Sequence, residues 1–301
     1  MSGNLVIIDG NSIVCRAFFG GPKDQVGPDG QNVGTVSTFV EMLWRILGAD
    51  ELGNPTHIAC VFDGGGRNHR HELFPAYKAN RGPKPEGLID QIMLCEQAAN
   101  LMQLAIFREG GVEADDLIAT LAWNAKQQGM SASIVSVDKD FLQLVDDGIT
   151  LFDPRAAEWR HITETDVIAE WGVYPRQMID YQAIAGDTAD NVPGVKGIGP
   201  KTIVNLLREF GTLEAIYEDT SKTGLKGAAK LKLDVGRENA FISKQLVTLR
   251  RDMPLPNMMF DDLHIRHVQP GKELLDFLDG LGLPSLRGKI ARKLGYMEEA
   301  A

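Results

Sequence analysis

With 301 residues, 44% of them hydrophobic, the chain can bury a full core and fold as one large domain with a smaller lobe. Its formal net charge of −10 argues at face value against a polyanionic partner. Cys15, Cys60 and Cys95 are widely spaced with no CxxC pattern, which argues against a disulfide framework and structural zinc, and for a reducing compartment. No basic leader and no run of about twenty apolar residues is found, so the expected location is the cytoplasm, with no membrane partner.

In chain order, Leu5-Val6-Ile7-Ile8 is a continuous apolar run ending in Asp9-Gly10-Asn11, the pattern of a buried parallel strand followed by a tight turn. Thr38 to Leu47 has helical periodicity. His57-Ile58-Ala59-Cys60-Val61-Phe62 then repeats the first pattern and ends in Asp63-Gly64-Gly65, so a second acid falls at an equivalent place. Next comes Gly110-Gly111-Val112-Glu113-Ala114-Asp115-Asp116, in which three carboxylates occupy four residues at the start of a helical repeat, Leu117, Ile118, Leu121, Ala122 and Ala125. Acids are favoured at a helix N-terminus, and taken alone that bland explanation would suffice. Glu113 and Asp116, three residues apart, are expected to face one way.

A third strand, Ala132 to Val137, ends in Asp138-Lys139-Asp140, where alternation along an extended segment would put both carboxylates on one side. Strands alternating with helices imply a mostly parallel sheet with helices on both faces, an α/β fold whose ligands bind beyond the carboxyl ends of the strands. Asp9, Asp63, Asp138 and Asp140 should converge there with the Glu113 cluster. A lone acid after a strand, such as Asp153 before Pro154, is an ordinary turn residue. So many together are costly without divalent cations, and an oxygen-only set points to Mg²⁺ or Mn²⁺.

Between Asp63 and that cluster, Arg67 to Pro85 is basic with interleaved aromatics, a composition suited to phosphate contact and base stacking or to a solvated loop. Beyond Trp171, Asp187 and Asp190 form another acid pair, and Val192-Pro193-Gly194-Val195-Lys196-Gly197-Ile198-Gly199-Pro200-Lys201-Thr202 reads as a glycine-rich hairpin opening a helix. Pro200 suits the first helical turn, and backbone N–H groups there face an anion. The GxxxxGK[ST] pattern does not fit. Lys222 to Arg251 carries Lys222, Lys226, Lys230, Lys232, Arg237, Lys244, Arg250 and Arg251 against only Asp234 and Glu238, so a basic surface coexists with an acidic total. Arg287, Lys289, Arg292 and Lys293 extend it or form a solvated face.

The hairpin resembles the helix-hairpin-helix element that holds DNA phosphates without reading sequence. Asp9-Gly10-Asn11, Phe62-Asp63, Tyr77-Lys78-Ala79-Asn80-Arg81, Val112 to Asp116, Asp138-Lys139-Asp140 and Gly186-Asp187 through Lys201-Thr202 together resemble the ordered motifs of the 5′-nuclease family. That family includes the N-terminal domain of bacterial DNA polymerase I, phage 5′-exonucleases and the flap endonucleases. The likeness spans nearly the whole chain, including Asn239 to Leu246 and Asp252 to Leu255.

The resemblance implies a PIN-like nuclease body over residues 1–175 with a helical gateway near 69–88. It further implies a helical DNA-binding region over 176–301, with the helix-hairpin-helix near 184–210. It implies metal ligands at Asp9, Asp63, Glu113, Asp115, Asp116, Asp138, Asp140, Asp187 and Asp190, with catalytic roles for Asp116 and for the gateway bases Lys78 and Arg81. DNA contacts are implied at Arg16, Arg70, Tyr77, Gly194, Lys196, Gly197, Gly199, Lys201 and Thr202, with a K⁺ ion on carbonyls such as Val195 and Ile198. Two departures stand out. Cys15 replaces the aromatic that the family often carries before the residue matching Arg16, and no polymerase segment follows Ala301, as in a free-standing nuclease or a separated first domain.

The expected chemistry is phosphodiester hydrolysis with two metal ions about 3.5–4 Å apart, by a monomer acting on DNA with free 5′ ends, flaps or nicks. Such an enzyme would work in replication and repair, primer removal included. Backbone contacts position without specifying sequence, so recognition should depend on structure. Two other readings compete: a PIN-like ribonuclease, disfavoured by the glycine hairpin and by Asp187 and Asp190, and a non-catalytic binder of branched DNA.

Overall fold

The computed structural model describes residues 3–154, 159–255 and 260–296. Among them, six strands form one sheet: β1 (Asn4–Asp9), β2 (His57–Val61), β3 (Ala105–Phe107), β4 (Ser131–Val135), β5 (Ile149–Asp153) and β6 (Arg160–Ile162), in the order β3-β2-β1-β4-β5-β6. The first five are parallel and β6 is antiparallel to β5. Ile7 of β1 lies opposite Ala59 of β2 and Ile134 of β4. Strand order reverses between β1 and β4, which opens a crevice at their carboxyl ends.

The apolar run of β1 is continuous because both faces are covered. Leu5 and Ile7 pack into one core and Val6 and Ile8 into the other. The thirteen α-helices of the described residues divide between these faces. On one side lie α1 (Gly10–Gly20), α2 (Gly34–Leu47) and α4 (Leu88–Leu101); α3 (His69–Leu73) sits in the connection between β2 and α4. On the other lie α5 (Ala114–Gln127), α6 (Glu164–Trp171), α7 (Met178–Ala185), α8 (Pro200–Phe210), α9 (Leu213–Glu218), α10 (Gly227–Val235) and α11 (Arg237–Val247). The last two, α12 (Lys272–Gly280) and α13 (Pro284–Lys293), return to the first side and pack with the α1, α2 and α4 core. Arg287 and Lys289, on α13, pair with Asp279 and Glu41 there. Among the described residues no helix is long and apolar enough to cross a membrane.

Two local expectations need correcting. The helical part of the gateway is confined to α3, because Pro75, Gly82, Pro83, Pro85 and Gly87 break the chain from there to α4 into turns and extended segments. The segment after β4 is not extended either. The Asp138 side chain caps the N–H of Asp140 at 2.9 Å and starts a 3₁₀ turn over Lys139–Leu144, so Asp138 and Asp140 line different cavities.

Candidate active site

The acids gather at the carboxyl edge of the sheet, in two groups. Asp9, Asp63, Asp115 and Asp138 line an open cleft of about 610 Å³, whose wall also carries Cys15, Lys78, Arg81 and Lys84. Each is placed by local chemistry. Asp9 ends β1 and caps α1, accepting the Ser12 N–H at 2.9 Å, and its other oxygen accepts the Ser136 hydroxyl at 2.7 Å. Asp63 accepts the Asn11 side-chain amide at 2.8 Å and the Ala114 N–H at 2.8 Å, tying the end of β2 to the start of α5. Asp115 projects into the cleft from the first turn of α5. Among the described residues no cation pairs with any of the four.

Burial sets the electrostatics of this group. It pushes the Asp9 carboxyl up to about 7, against the lowering effect of Ser12 and Ser136, and the charges of Asp138 and Asp63 add to the rise. Burial and then the charges of Asp138, Asp9 and Asp63 raise Asp115 well above the usual carboxylate range. Ionising all four together is therefore costly, and among the described residues no ion pair to the quartet offsets that cost.

The second group is paired. Glu113, Asp140, Asp187 and Asp190, with Asp115 between the two groups, line a cavity of about 10 Å³, at the lower limit for one water. Lys78 Nζ lies 2.6 Å from Glu113 Oε1 and 3.6 Å from Asp190 Oδ2; Arg81 pairs with Asp190, and Lys139 lies 2.5 Å from Asp187. Burial alone would raise Glu113 and Asp187. Lys78 and Arg70 outweigh it at Glu113, and Lys139 at Asp187, so both end below their ordinary values. Asp140 stays raised, by burial and by the nearby charge of Asp138. Lys78 is held in the left-handed region at φ 56°, with its N–H on the Asp190 carbonyl at 2.9 Å. Such backbone is uncommon for lysine and costs of order 1–3 kcal/mol.

Several predicted roles change. Asp116 is 0% exposed: its two oxygens take Arg70 Nη2 at 2.8 Å and Nη1 at 2.7 Å, and the Arg250 N–H at 2.9 Å. That leaves it behind the site as the partner of a buried arginine, not as a ligand facing the cleft. Arg70 is 2% exposed and cannot reach DNA from this position. Tyr77 is equally buried; its ring packs edge-on against His71 and its hydroxyl donates to Glu113 at 3.2 Å and Asp190 at 3.1 Å, so it has no face for a base. Gly194 is buried and its N–H goes to Ser243 Oγ at 2.9 Å, so it shapes the hairpin instead of facing a phosphate. A side chain there would meet Gly186 N at 2.5 Å, at φ +56°.

The remaining hairpin residues Lys196, Gly197, Gly199 and Lys201 are exposed and Thr202 is half-buried. Pro200 opens α8, and Lys232 of α10 lies against Gly197. Arg16 is exposed on α1 beside Cys15 at the cleft wall. Residues not predicted as part of the site complete it: Asn11 and Ser136 orient the quartet, and Lys139 and Gln182 hold Asp187 and Asp140. Lys139 is legible in the sequence as the cation between two acids, and Asn11 as the polar residue two after Asp9.

The donor set suits a hard cation. Among the described residues no three carboxylates form a ready-made ligand cage. Mg²⁺ tolerates that, because it keeps several waters and takes only one or two carboxylates directly. A second ion on the paired side requires Lys78 or Lys139 to give way.

Fold and site together define an α/β protein with a cation-seeking acidic centre beside a helical hairpin module, the architecture of a 5′-nuclease. Residues 4–172 match the family model for the 5′-3′ exonuclease N-terminal, resolvase-like domain, and residues 173–270 match that for the 5′-3′ exonuclease C-terminal SAM fold. The chain belongs to the 5′-3′ exonuclease family. It is 38% identical over 295 residues to DNA polymerase I of Rhizobium leguminosarum, covering 96% of this chain and 28% of that protein. It is 37% identical over 302 residues to DNA polymerase I of Caldicellulosiruptor bescii, covering 98% and 34%. The chain thus spans about a third of the length of these relatives. Among solved structures the fold is similar to the T5 D15 protein co-crystallised with metal ions, with TM-score 0.65 at 22% identity over 98% of this chain and 100% of that one. It is also similar to flap endonuclease-1 from Methanococcus jannaschii, with TM-score 0.59 at 16% identity over 98% and 93%.

Proposed function

We propose that this chain hydrolyses DNA phosphodiesters in the 5′→3′ direction at free 5′ ends, flaps and nicks, in replication and repair, as a cytoplasmic monomer. The observation that carries the reading is the cation-free quartet Asp9, Asp63, Asp115 and Asp138 facing Lys78 and Arg81 across one cleft. The quartet would hold one Mg²⁺ or Mn²⁺, and Glu113, Asp140, Asp187 and Asp190 a second. Bound there, such ions supply water activation and neutralise the leaving oxygen.

The protein's own residues do the rest. Lys78 and Arg81 face the scissile phosphate and stabilise the charge that develops on it. For this, Lys78 must exchange Glu113 and Asp190 for the substrate, so the ion pairs of the paired group act as a resting clamp. Arg16 meets the same strand near the cleft wall. In the 176–301 region, the hairpin residues Lys196, Gly197, Gly199, Lys201 and Thr202 hold the duplex backbone, with K⁺ on the carbonyls of Val195 and Ile198. The likeness to proteins whose structures hold DNA, including T5 D15 flap endonuclease complexed with DNA and metal ions, supports this assignment. A labelled 5′-flap incubated with Mg²⁺ tests it. Cleavage is expected from the unmodified protein and lost in Asp138→Ala with flap binding retained; binding without cleavage under any divalent metal refutes it.

A further inference from the structure

Three parts of the chain meet at one guanidinium. Arg70, on α3 of the gateway, sends Nε to the Leu246 carbonyl at 2.8 Å and Nη2 to the Thr248 carbonyl at 3.3 Å, both at the end of α11. Nη1 reaches Asp116 Oδ2 at 2.7 Å and Glu113 Oε2 at 3.1 Å, and Nη2 reaches Asp116 Oδ1 at 2.8 Å, all at the start of α5. An arginine has five N–H donors, and here five bonds use them. A buried ion pair is weak evidence for stability, since apolar packing often serves as well; its best-attested use is to fix register.

The partners define which register. Asp116 is clamped between Arg70 and the Arg250 N–H, so it is a fixed anchor. Glu113 is the partner that also bonds Lys78 and Tyr77 at the edge of the acid set. On the other side, α11 packs along α7, and α7 runs into the turn bearing Asp187 and Asp190 and then into the hairpin. Gln143 adds a second tie, donating to the Val247 carbonyl at 2.9 Å and accepting the Leu249 N–H at 3.0 Å. Any shift of α11 would therefore be passed to Glu113 through Arg70.

We propose that Arg70 is a positioning residue that couples the seating of the helical hairpin region to the placement of Glu113, without touching DNA itself. The inference rests on the nuclease reading only for its link to cleavage, and metal binding reads it separately. The test compares the unmodified protein with Arg70→Gln, and with Arg70→Lys should Arg70→Gln fail to fold. Lysine keeps the charge against Asp116 but cannot serve five acceptors.

Affinity for a 5′-flap bearing a non-hydrolysable linkage is measured without divalent metal across salt concentrations, and Mn²⁺ binding by calorimetry with and without that flap. Single-turnover cleavage of an ordinary flap completes the set. The expected result is flap affinity within about twofold and an unchanged salt slope, since loss of a phosphate contact would lower the slope by about one. Mn²⁺ binding and cleavage should each fall about 10–100-fold, the usual cost of losing an outer-shell partner. In the unmodified protein the flap should change Mn²⁺ affinity by a factor of about 5–150, and in the variant by close to one.

Weakened flap binding with a reduced salt slope would overturn the proposal in favour of direct DNA contact. Normal Mn²⁺ binding and normal flap-to-metal coupling, in a variant that merely melts lower, would overturn it in favour of a structural pair. An unmodified protein that binds Mn²⁺ but cleaves nothing would defeat the nuclease reading, while loss of flap-to-metal coupling in the variant would still support this one.

Discussion

The two halves of the acidic site use the same side chain to opposite ends. In the quartet Asp9, Asp63, Asp115 and Asp138, carboxylates face one another with hydrogen-bond donors but no cation, and burial with mutual repulsion lifts Asp9 to about 7. In the paired half, Lys78, Arg81, Lys139 and Arg70 neutralise Glu113, Asp187 and Asp190. Among the described residues one half has no cation partner, while the other is paired within the chain. An acid's presence in a motif does not by itself tell which it is: Asp115 and Asp116 are adjacent, yet one faces the cleft and the other is sealed against Arg70.

Substitutions should break this contrast in opposite directions. Asp138→Ala, in the quartet, should lower flap cleavage on the order of 10³-fold, in line with losing a preorganised electrostatic group. In Asp138→Asn, which removes the charge but keeps the cap on the Asp140 N–H, the melting temperature without divalent metal at pH 8 should hold or rise, because one repelling charge is gone; a marked fall would place Asp138 among the paired acids. Asp116→Ala should do the reverse to stability, costing about 3–5 kcal/mol in urea unfolding by leaving Arg70 buried without its main partner. Gly194→Ala should cost about 1–3 kcal/mol, since its φ of +56° and its approach to Gly186 leave no room for a Cβ. Mn²⁺ binding by the quartet should survive that change, and its loss would show that the two halves are not separable.

The smallest expected effect is a pH dependence. Because Asp9 is raised in the folded chain, the metal-free protein should be more stable below pH 4 as far as this group is concerned, and lose that contribution as pH climbs through 7. Mg²⁺ should therefore raise the melting temperature more at pH 8 than at pH 5.5. An equal shift at both values would mean that the ion binds elsewhere.

Much of this is legible in the sequence. Apolar runs that stop at Asp9, Asp63 and Asp138 announce buried parallel strands, and their shared edge is a consequence of the α/β order. Glu113 and Asp116 do face one way, as their spacing predicts; both meet the Arg70 guanidinium. What the spacing cannot show is the identity of that partner, an arginine more than forty residues earlier in the chain. Asp138 and Asp140 depart from the alternation for a local reason: a side-chain cap on the Asp140 N–H turns the chain before it can extend. The hairpin is readable from its glycines, but Gly194 serves the packing of α11 through Ser243, a contact across forty-nine residues.

The most direct test of the central claim is anomalous diffraction from crystals soaked in Mn²⁺. The expected result is a peak among Asp9, Asp63, Asp115 and Asp138, with carboxylate oxygens about 2.1 Å away and the Arg70–Asp116 pair intact. No peak in that cleft at saturating Mn²⁺, or an ion on Asp116 with Arg70 driven out, would contradict it.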